Sequence, residues 1–171
     1  ANTGTFEIHM NTRIDKLLVN PFNYYPYRLD EEQALLLSHE FKVDHYEYLE
    51  QTHFTRLPAD WAHPVWESTE QLFDFCLRVN GFVFACMEYD TRHASVHNKV
   101  ADVLQDHRGV CQDFAHLMLG ILRENRIPCR YVTGYLNPGQ GHKGSAAIHA
   151  WIEAYIPGNG WTGFDPRSEE R

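Results

Sequence analysis

An α+β fold, helices first and an antiparallel sheet after them, follows from three patterns in the chain. Apolar residues recur at helical spacing in residues 65–79 and again in residues 111–122, whereas residues 148–156 alternate strictly with a period of two. Glycine and proline sit between these segments, at Asn80-Gly81, Pro128 and Pro157-Gly158-Asn159-Gly160. The 171 residues suffice for one ordinary domain with a real core and are too few for two large ones. With 43% hydrophobic and 22% charged residues, the composition excludes a disordered tail, a collagen or a coiled coil.

In chain order, TFEIHMNTR alternates Phe6, Ile8 and Met10 with polar neighbours and predicts an edge strand. PFNYYPYRLD is a connector rich in proline and tyrosine; Tyr24, Tyr25 and Tyr27 fit a packed linker. Asp30 is placed to cap a short helix through DEEQALLLSHEF, with Glu31 and Glu32 favouring its positive end. The next helix carries Val65, Leu72, Phe73, Cys76 and Val79 on one stripe and is expected to stop at Asn80-Gly81. A further amphipathic helix is expected over roughly Val96 to Leu104. Then a glycine-led turn enters a helix with Phe114, Leu117, Met118, Ile121 and Leu122 on its face, and Pro128 bars its continuation. CRYVTGYL predicts a strand and NPGQGHKGSA a loop. IHAWIEAYI puts Ile148, Ala150, Ile152 and Ala154 on one face and His149, Trp151, Glu153 and Tyr155 on the other. PGNG turns the chain into a short strand, WTGFD, which Pro166 closes because proline cannot donate to a ladder.

Charge and cysteines narrow the partners. Fifteen Lys and Arg against 23 Asp and Glu leave a net charge of −8, so no basic field collects nucleic acid or anionic lipid. The longest apolar runs fall far short of the roughly 20 residues of a spanning helix, and a soluble chain is expected. No positively charged start followed by an apolar run opens the sequence, so nothing in it is expected to direct secretion. Cys76, Cys86, Cys111 and Cys129 form no CxxC pair, which points to reduced thiols in a cytoplasmic protein rather than a disulfide scaffold or zinc ribbon. Cys76, Cys86 and Cys129 lie in apolar stretches and are expected in the core. Cys111 differs, because it falls at the start of its helix.

That position suits chemistry. A thiol attacks as thiolate, and a helix N-terminus favours the anion. The thiolate needs a base that later protonates the leaving group, for which His149 is the candidate; the imidazole needs an acceptor on its other nitrogen, which Asp165 can supply. Register tests the set, since a slip of one residue reverses the faces of a strand. A four-residue loop, Pro157 to Gly160, would pair Asp165 with Ile152 and turn it away from His149. A loop of Gly158, Asn159 and Gly160 would set Asp165 opposite Glu153, on the His149 face, and the Cys-His-Asp set requires that face.

GVCQDFAHL, the GY that follows the helix-strand unit, HAWIEAYIPGNGW and the final FDP together resemble the core of the transglutaminase-like superfamily, in particular bacterial transglutaminase-like cysteine proteases. The resemblance covers about Leu72 to Arg167. It implies a papain-like α+β fold with a cysteine-bearing helix packed on an antiparallel sheet, Cys111 as nucleophile, His149 as base and Asp165 as orienting acid. It further implies attack on a carboxamide or peptide carbonyl, a thioester acyl-enzyme, and resolution by water or an amine. The backbone N–H of Cys111 is the expected first oxyanion donor and Tyr89 a second. Trp151, Glu153 and Trp161 are expected to line the cleft beside His149, although packing between strands explains them too. Such proteins often carry an added N-terminal β-domain and further strands after FDP. Residues 1–57 are therefore expected to be an N-terminal segment holding the tail of such a domain, and 58–171 a catalytic core shortened at its C-terminal end.

No cofactor is expected. His93 and His97 lie four apart, but no third ligand accompanies them, so no metal site is assigned; nor does an EF-hand loop suggest calcium dependence. Asp113 and His116 flank Cys111 and fit structural support of its helix. Peptide or amide hydrolysis on a protein or peptide substrate is the leading function, crosslinking by amine transfer the next, and a non-catalytic interaction module the third.

Overall fold

The computed structural model describes residues 25–135 and 148–168. Three short helices, α1 (Leu29–Leu37), α2 (His39–Asp44) and α3 (Tyr46–Leu49), lead to α4 (Leu72–Cys86). A two-stranded parallel ribbon pairs β1 (Glu88–Tyr89) with β2 (Arg108–Gly109), and α5 (Val100–Val103) lies between them in sequence. Then follow α6 (Cys111–Glu124), β3 (Cys129–Tyr135), β4 (Ile148–Ile156) and β5 (Gly160–Phe164), the three strands forming an antiparallel sheet in the order β3-β4-β5. No helix among the described residues is long and apolar enough to cross a membrane. The strand expected at residues 6–10 and the loop at 137–146 lie outside the described residues.

The α6 helix is the centre of the molecule. Phe114, Leu117, Met118, Ile121 and Leu122, the face expected from spacing, are all buried, and α6 packs on α4 on one side and on β3 and β4 on the other. Ala150, Ile152 and Ala154 turn toward this core, as their alternation predicts, while Ile148 at the end of β4 is exposed.

Elsewhere the elements depart from the pattern. Asp30 lies inside the first turn of α1, whose N-cap is Arg28, and the expected single helix breaks at Ser38, whose hydroxyl accepts the Phe41 N–H and starts α2. The α4 helix runs through Asn80-Gly81: glycine in a helix costs about 1 kcal/mol relative to alanine, and the fully buried Val83 one turn later compensates. Val65 lies outside that helix and is exposed. The helix expected over 96–104 is only α5, preceded by turns.

The division expected at residue 57 does not appear in the packing. Leu36, Phe41 and Leu57 share one core with Phe75, Leu117 and Ile152. The buried Glu32 carboxylate, which burial pushes upward in pKa against an opposing hydrogen bond, accepts the Leu72 N–H at 2.8 Å and so caps α4. Residues 29–57 bury Leu36, Phe41, Leu49 and Leu57, and Phe41 and Tyr48 pack edge-on against Tyr155 and Trp161 of the sheet.

Candidate active site

Cys111 is the first residue of α6, preceded by the extended N-cap Val110. The β1-β2 ribbon fixes this approach, with the Asp90 N–H donating to the Gly109 carbonyl at 2.9 Å. Asp113, in the first turn, accepts the Val110 N–H at 2.8 Å, and a Cβ at Gly109 would fall on its carboxylate. Burial raises the Asp113 pKa. Asp113 thus shapes the entry to the helix, while His116 packs between Phe54 and Tyr131.

His149 and Asp165 meet. Ile156 pairs with Gly160 and Ile152 with Phe164, so Asp165 follows on across from Trp151 and shares the face of His149. The loop is Pro157 to Asn159, one residue earlier than expected, which moves the pairing by two residues and leaves the face unchanged. Proline and glycine select it: the Asn159 N–H donates to the Ile156 carbonyl at 3.0 Å across Pro157-Gly158, and Gly158 takes φ +85°, as a type II turn requires.

The His149 Nε2 lies 2.7 Å from Asp165 Oδ2, both side chains being largely buried. An ionised carboxylate only accepts, so Nε2 carries the proton and Nδ1 is left for another partner. Asp165 is itself held in place. The Ser168 hydroxyl donates to Oδ2 at 2.7 Å and the Arg167 N–H to Oδ1 at 3.1 Å. Among the described residues, no hydrogen bond engages the Cys111 sulfur. The structure thus forms the His149-Asp165 half of the expected set and leaves Cys111 unengaged at its helix terminus.

Of the expected cleft residues, Trp151 lies beside His149, its ring 6.1 Å away and tilted by 23°. Room for its indole comes from Gly134 on β3, where a Cβ would collide with the ring. Glu153 and Trp161 are placed elsewhere. Four residues along β4 is roughly 13 Å, and there Glu153 binds Arg130 at 2.7 Å, while the Arg130 guanidinium covers the Trp161 ring at 4.3 Å. The strand-packing explanation therefore fits both. Tyr89 pairs with Gly109 in the ribbon, is half exposed, and lies under the Arg167 guanidinium at 5.2 Å, on the Asp165 side. His93 and His97 do not form a helical pair, since His93 ends a 3-10 turn and lies between Asp90 and Asp106, 3.2 Å from each. Among the described residues, no group of three potential metal ligands gathers.

Three side chains were not picked out from the sequence. Tyr131 on β3 is half-buried near Cys111 and Asp113, and burial raises its pKa and keeps the phenol protonated. Ser168 and Arg167 belong to the turn Asp165-Pro166-Arg167-Ser168, and Asp followed by Pro is the pattern that marks a turn with side-chain-to-backbone bonding.

Known proteins resemble this chain in sequence and in fold. A structure of a candidate cysteine protease from Cytophaga hutchinsonii superposes with a TM-score of 0.50 at 26% identity, covering 85% of this chain and 40% of that one. An uncharacterised protein of Mycobacterium leprae is 42% identical over 87 residues, which is 48% of this chain and 30% of the relative. A Pseudomonas aeruginosa protein named protein-glutamine gamma-glutamyltransferase is 41% identical over 76 residues, 39% of this chain and 11% of that protein. The chain thus spans less than half the length of these relatives. The sequence profile of the transglutaminase-like superfamily matches residues 59–166, more than half of the chain, and the cysteine-bearing helix packs on an antiparallel sheet as in that fold, so the chain belongs to the transglutaminase-like superfamily.

Proposed function

We propose that this chain is a thiol-dependent acyl-transfer enzyme that hydrolyses peptide or amide bonds, with Cys111 as nucleophile, His149 as base and Asp165 as the acid that orients it. The observation that carries the reading is the 2.7 Å hydrogen bond from His149 Nε2 to Asp165, on the one sheet face where the Cys-His-Asp set needs both. It fixes the tautomer that presents Nδ1 to a thiol. Membership of the superfamily and likeness to the Cytophaga protein support the general kind of chemistry.

In this mechanism His149 Nδ1 takes the Cys111 proton as the sulfur attacks a carboxamide or peptide carbonyl. The tetrahedral oxyanion is stabilised by the Cys111 N–H, one of the donors a helix leaves unpaired at its start, with the Tyr89 hydroxyl as the second donor. Collapse expels the amine, which receives its proton from His149, and leaves a thioester. Water, deprotonated by His149, then releases the acid and regenerates the thiol. The likeness to the Pseudomonas protein, whose name specifies glutamine acyl transfer, favours a second reading in which an amine replaces water.

Alkylation by iodoacetamide, followed by peptide mass mapping, tests the assignment. Cys111 should label fastest of the four cysteines, with a rate at least tenfold lower in His149→Ala and reduced in Asp165→Asn. Equal rates in all three proteins would overturn the catalytic assignment in favour of a non-catalytic module. Supplying excess primary amine with a glutamine peptide separates the two reactions: an amine adduct favours transfer, and glutamate alone favours hydrolysis.

A further inference from the structure

A second thiol lies against an imidazole, away from Cys111. Cys86 is the last residue of α4, and its Sγ is 3.2 Å from His107 Nδ1. Both residues are partly open to solvent, whereas Cys76 and Cys129 are buried. The His107 backbone has φ +57°, a left-handed conformation that a residue other than glycine seldom adopts. Two hydrogen bonds hold it there: its N–H donates to the Val103 carbonyl at 2.8 Å, and its carbonyl accepts the Glu88 N–H at 2.8 Å where the β1-β2 ribbon begins. From this backbone position the ring lies against the Cys86 sulfur. Such backbone strain concentrates at sites with a use.

We propose that Cys86 and His107 form a second thiol-imidazole site that reacts with low-molecular-weight disulfides, keeping one half of the reagent as a mixed disulfide on Cys86 and releasing the other half as a thiol. The chemistry follows from where the thiol sits. At the C-terminal end of a helix the carbonyls present negative charge, so neither a standing thiolate nor an oxyanion is favoured, and acyl transfer is a poor fit. Partial burial pushes the Cys86 thiol up as well, so the sulfur waits protonated and depends on a base. Thiol-disulfide exchange needs only that base. His107 Nδ1 takes the thiol proton as Sγ attacks one sulfur of the disulfide. The Cys86–S bond forms, the S–S bond of the reagent breaks, and the departing thiolate recovers the proton from His107. The incoming disulfide is the oxidant, reduced to one thiol, while Cys86 is oxidised. This site does not depend on the reading of Cys111.

The test treats the native chain with glutathione disulfide and follows each cysteine by peptide mass mapping. The expected result is a glutathione adduct on Cys86 and none on Cys76 or Cys129, whose protection also certifies the fold. In His107→Asn, where asparagine tolerates the left-handed backbone, the Cys86 rate should fall at least tenfold while the Cys111 rate stays unchanged. His107→Gly relieves the strain outright, and free imidazole added to that variant should restore the Cys86 rate. An unmodified Cys86 in the wild-type chain overturns the proposal. So does an unchanged rate in a folded imidazole-free variant, or the absence of rescue by added imidazole.

Discussion

The Asp165 carboxylate accepts three hydrogen bonds, from His149, the Ser168 hydroxyl and the Arg167 backbone, so the imidazole is oriented by a group that is itself fixed. Under the proposed mechanism the contributions rank by what is lost. Asp165→Asn keeps one acceptor oxygen but replaces the other with an N–H donor and removes the negative charge that stabilises the imidazolium, and should lower kcat on a peptide amide by roughly 10²–10⁴-fold. Ser168→Ala removes one of the two groups, other than His149, that anchor the carboxylate and should cost about tenfold or less, with binding of the substrate unchanged. Equal losses in the two variants would show that Ser168 does more than position. His116 bears on stability instead. Stacked on Phe54 and 5.2 Å from Tyr131, it has a buried Nδ1 that finds no hydrogen-bond partner among the described residues, and burial lowers its pKa to about 4. An unfolded histidine titrates near 6.5, so the folded chain binds fewer protons between these values. The stability from a neutral His116 is complete above pH ~6.5 and is lost as pH falls toward ~4, at most about 1.4 kcal/mol per unit and less for a ring that is not fully enclosed. Asp113 and Glu32, raised by burial, act in the opposite direction on acidification. They are present in both chains when wild type is compared with His116→Phe, so the difference between their urea-unfolding energies at pH 7.5 and pH 5 isolates the histidine. The wild type should lose about 1–2 kcal/mol more than the variant; parallel curves would mean that the ring is solvated.

At the scale of elements, α6 ends without the glycine that such an end favours. The Ile127 N–H reaches back to the Leu122 carbonyl and the Arg126 N–H to the Arg123 carbonyl, both at 3.0 Å, and Ile127 buries against the core. This is a Schellman ending, with Arg126 at the left-handed position at φ +60°. Arg126→Gly should therefore raise stability by up to about 1 kcal/mol, seen as a higher denaturant midpoint at constant slope. A lower midpoint would show that the arginine side chain contributes more than its backbone costs. The helix itself was legible from Phe114, Leu117 and Ile121, because a central helix buries one continuous stripe. The β4-β5 face of His149 and Asp165 was legible too, since parity survives a shift of two residues. Other features were not. The extension of α4 past Asn80-Gly81 depends on Val83 reaching the core, a tertiary contact that outweighs local helix preference. Glu153 and Trp161 share a face with His149, but alternation specifies the face and not the distance along it, and Arg130 claims both. The break at Ser38 lay hidden in a run that spacing alone continues as one helix, although serine is a favoured cap.

Across the whole molecule, the stretch from Gln51 to Leu57 runs over α6 and joins the N-terminal helices to the unit that carries Cys111, His149 and Asp165. Gln51 Nε2 donates to the Gly120 carbonyl at 2.9 Å, the Phe54 carbonyl accepts the Val100 N–H at 3.0 Å, and Arg123 reaches the Thr55 hydroxyl. The closest approach is at Gly120, where a Cβ would run into the Thr55 backbone carbonyl and the Leu57 side chain. Two effects of Gly120→Ala therefore oppose one another. Replacing glycine by alanine inside a helix stabilises it by about 1 kcal/mol when the new methyl group has space. Here the methyl group meets backbone, which cannot rotate away, and forcing atoms into a filled core costs roughly 1–3 kcal/mol. With residues 51–57 docked as an integral layer, overpacking wins, and Gly120→Ala should lower the thermal midpoint. If that layer is loosely held, the strand of chain over α6 lifts, the helix preference wins, and the midpoint rises. The sign of the shift, read by thermal unfolding followed by circular dichroism, decides whether residues 29–57 and the segment matched by the family profile unfold as one cooperative body.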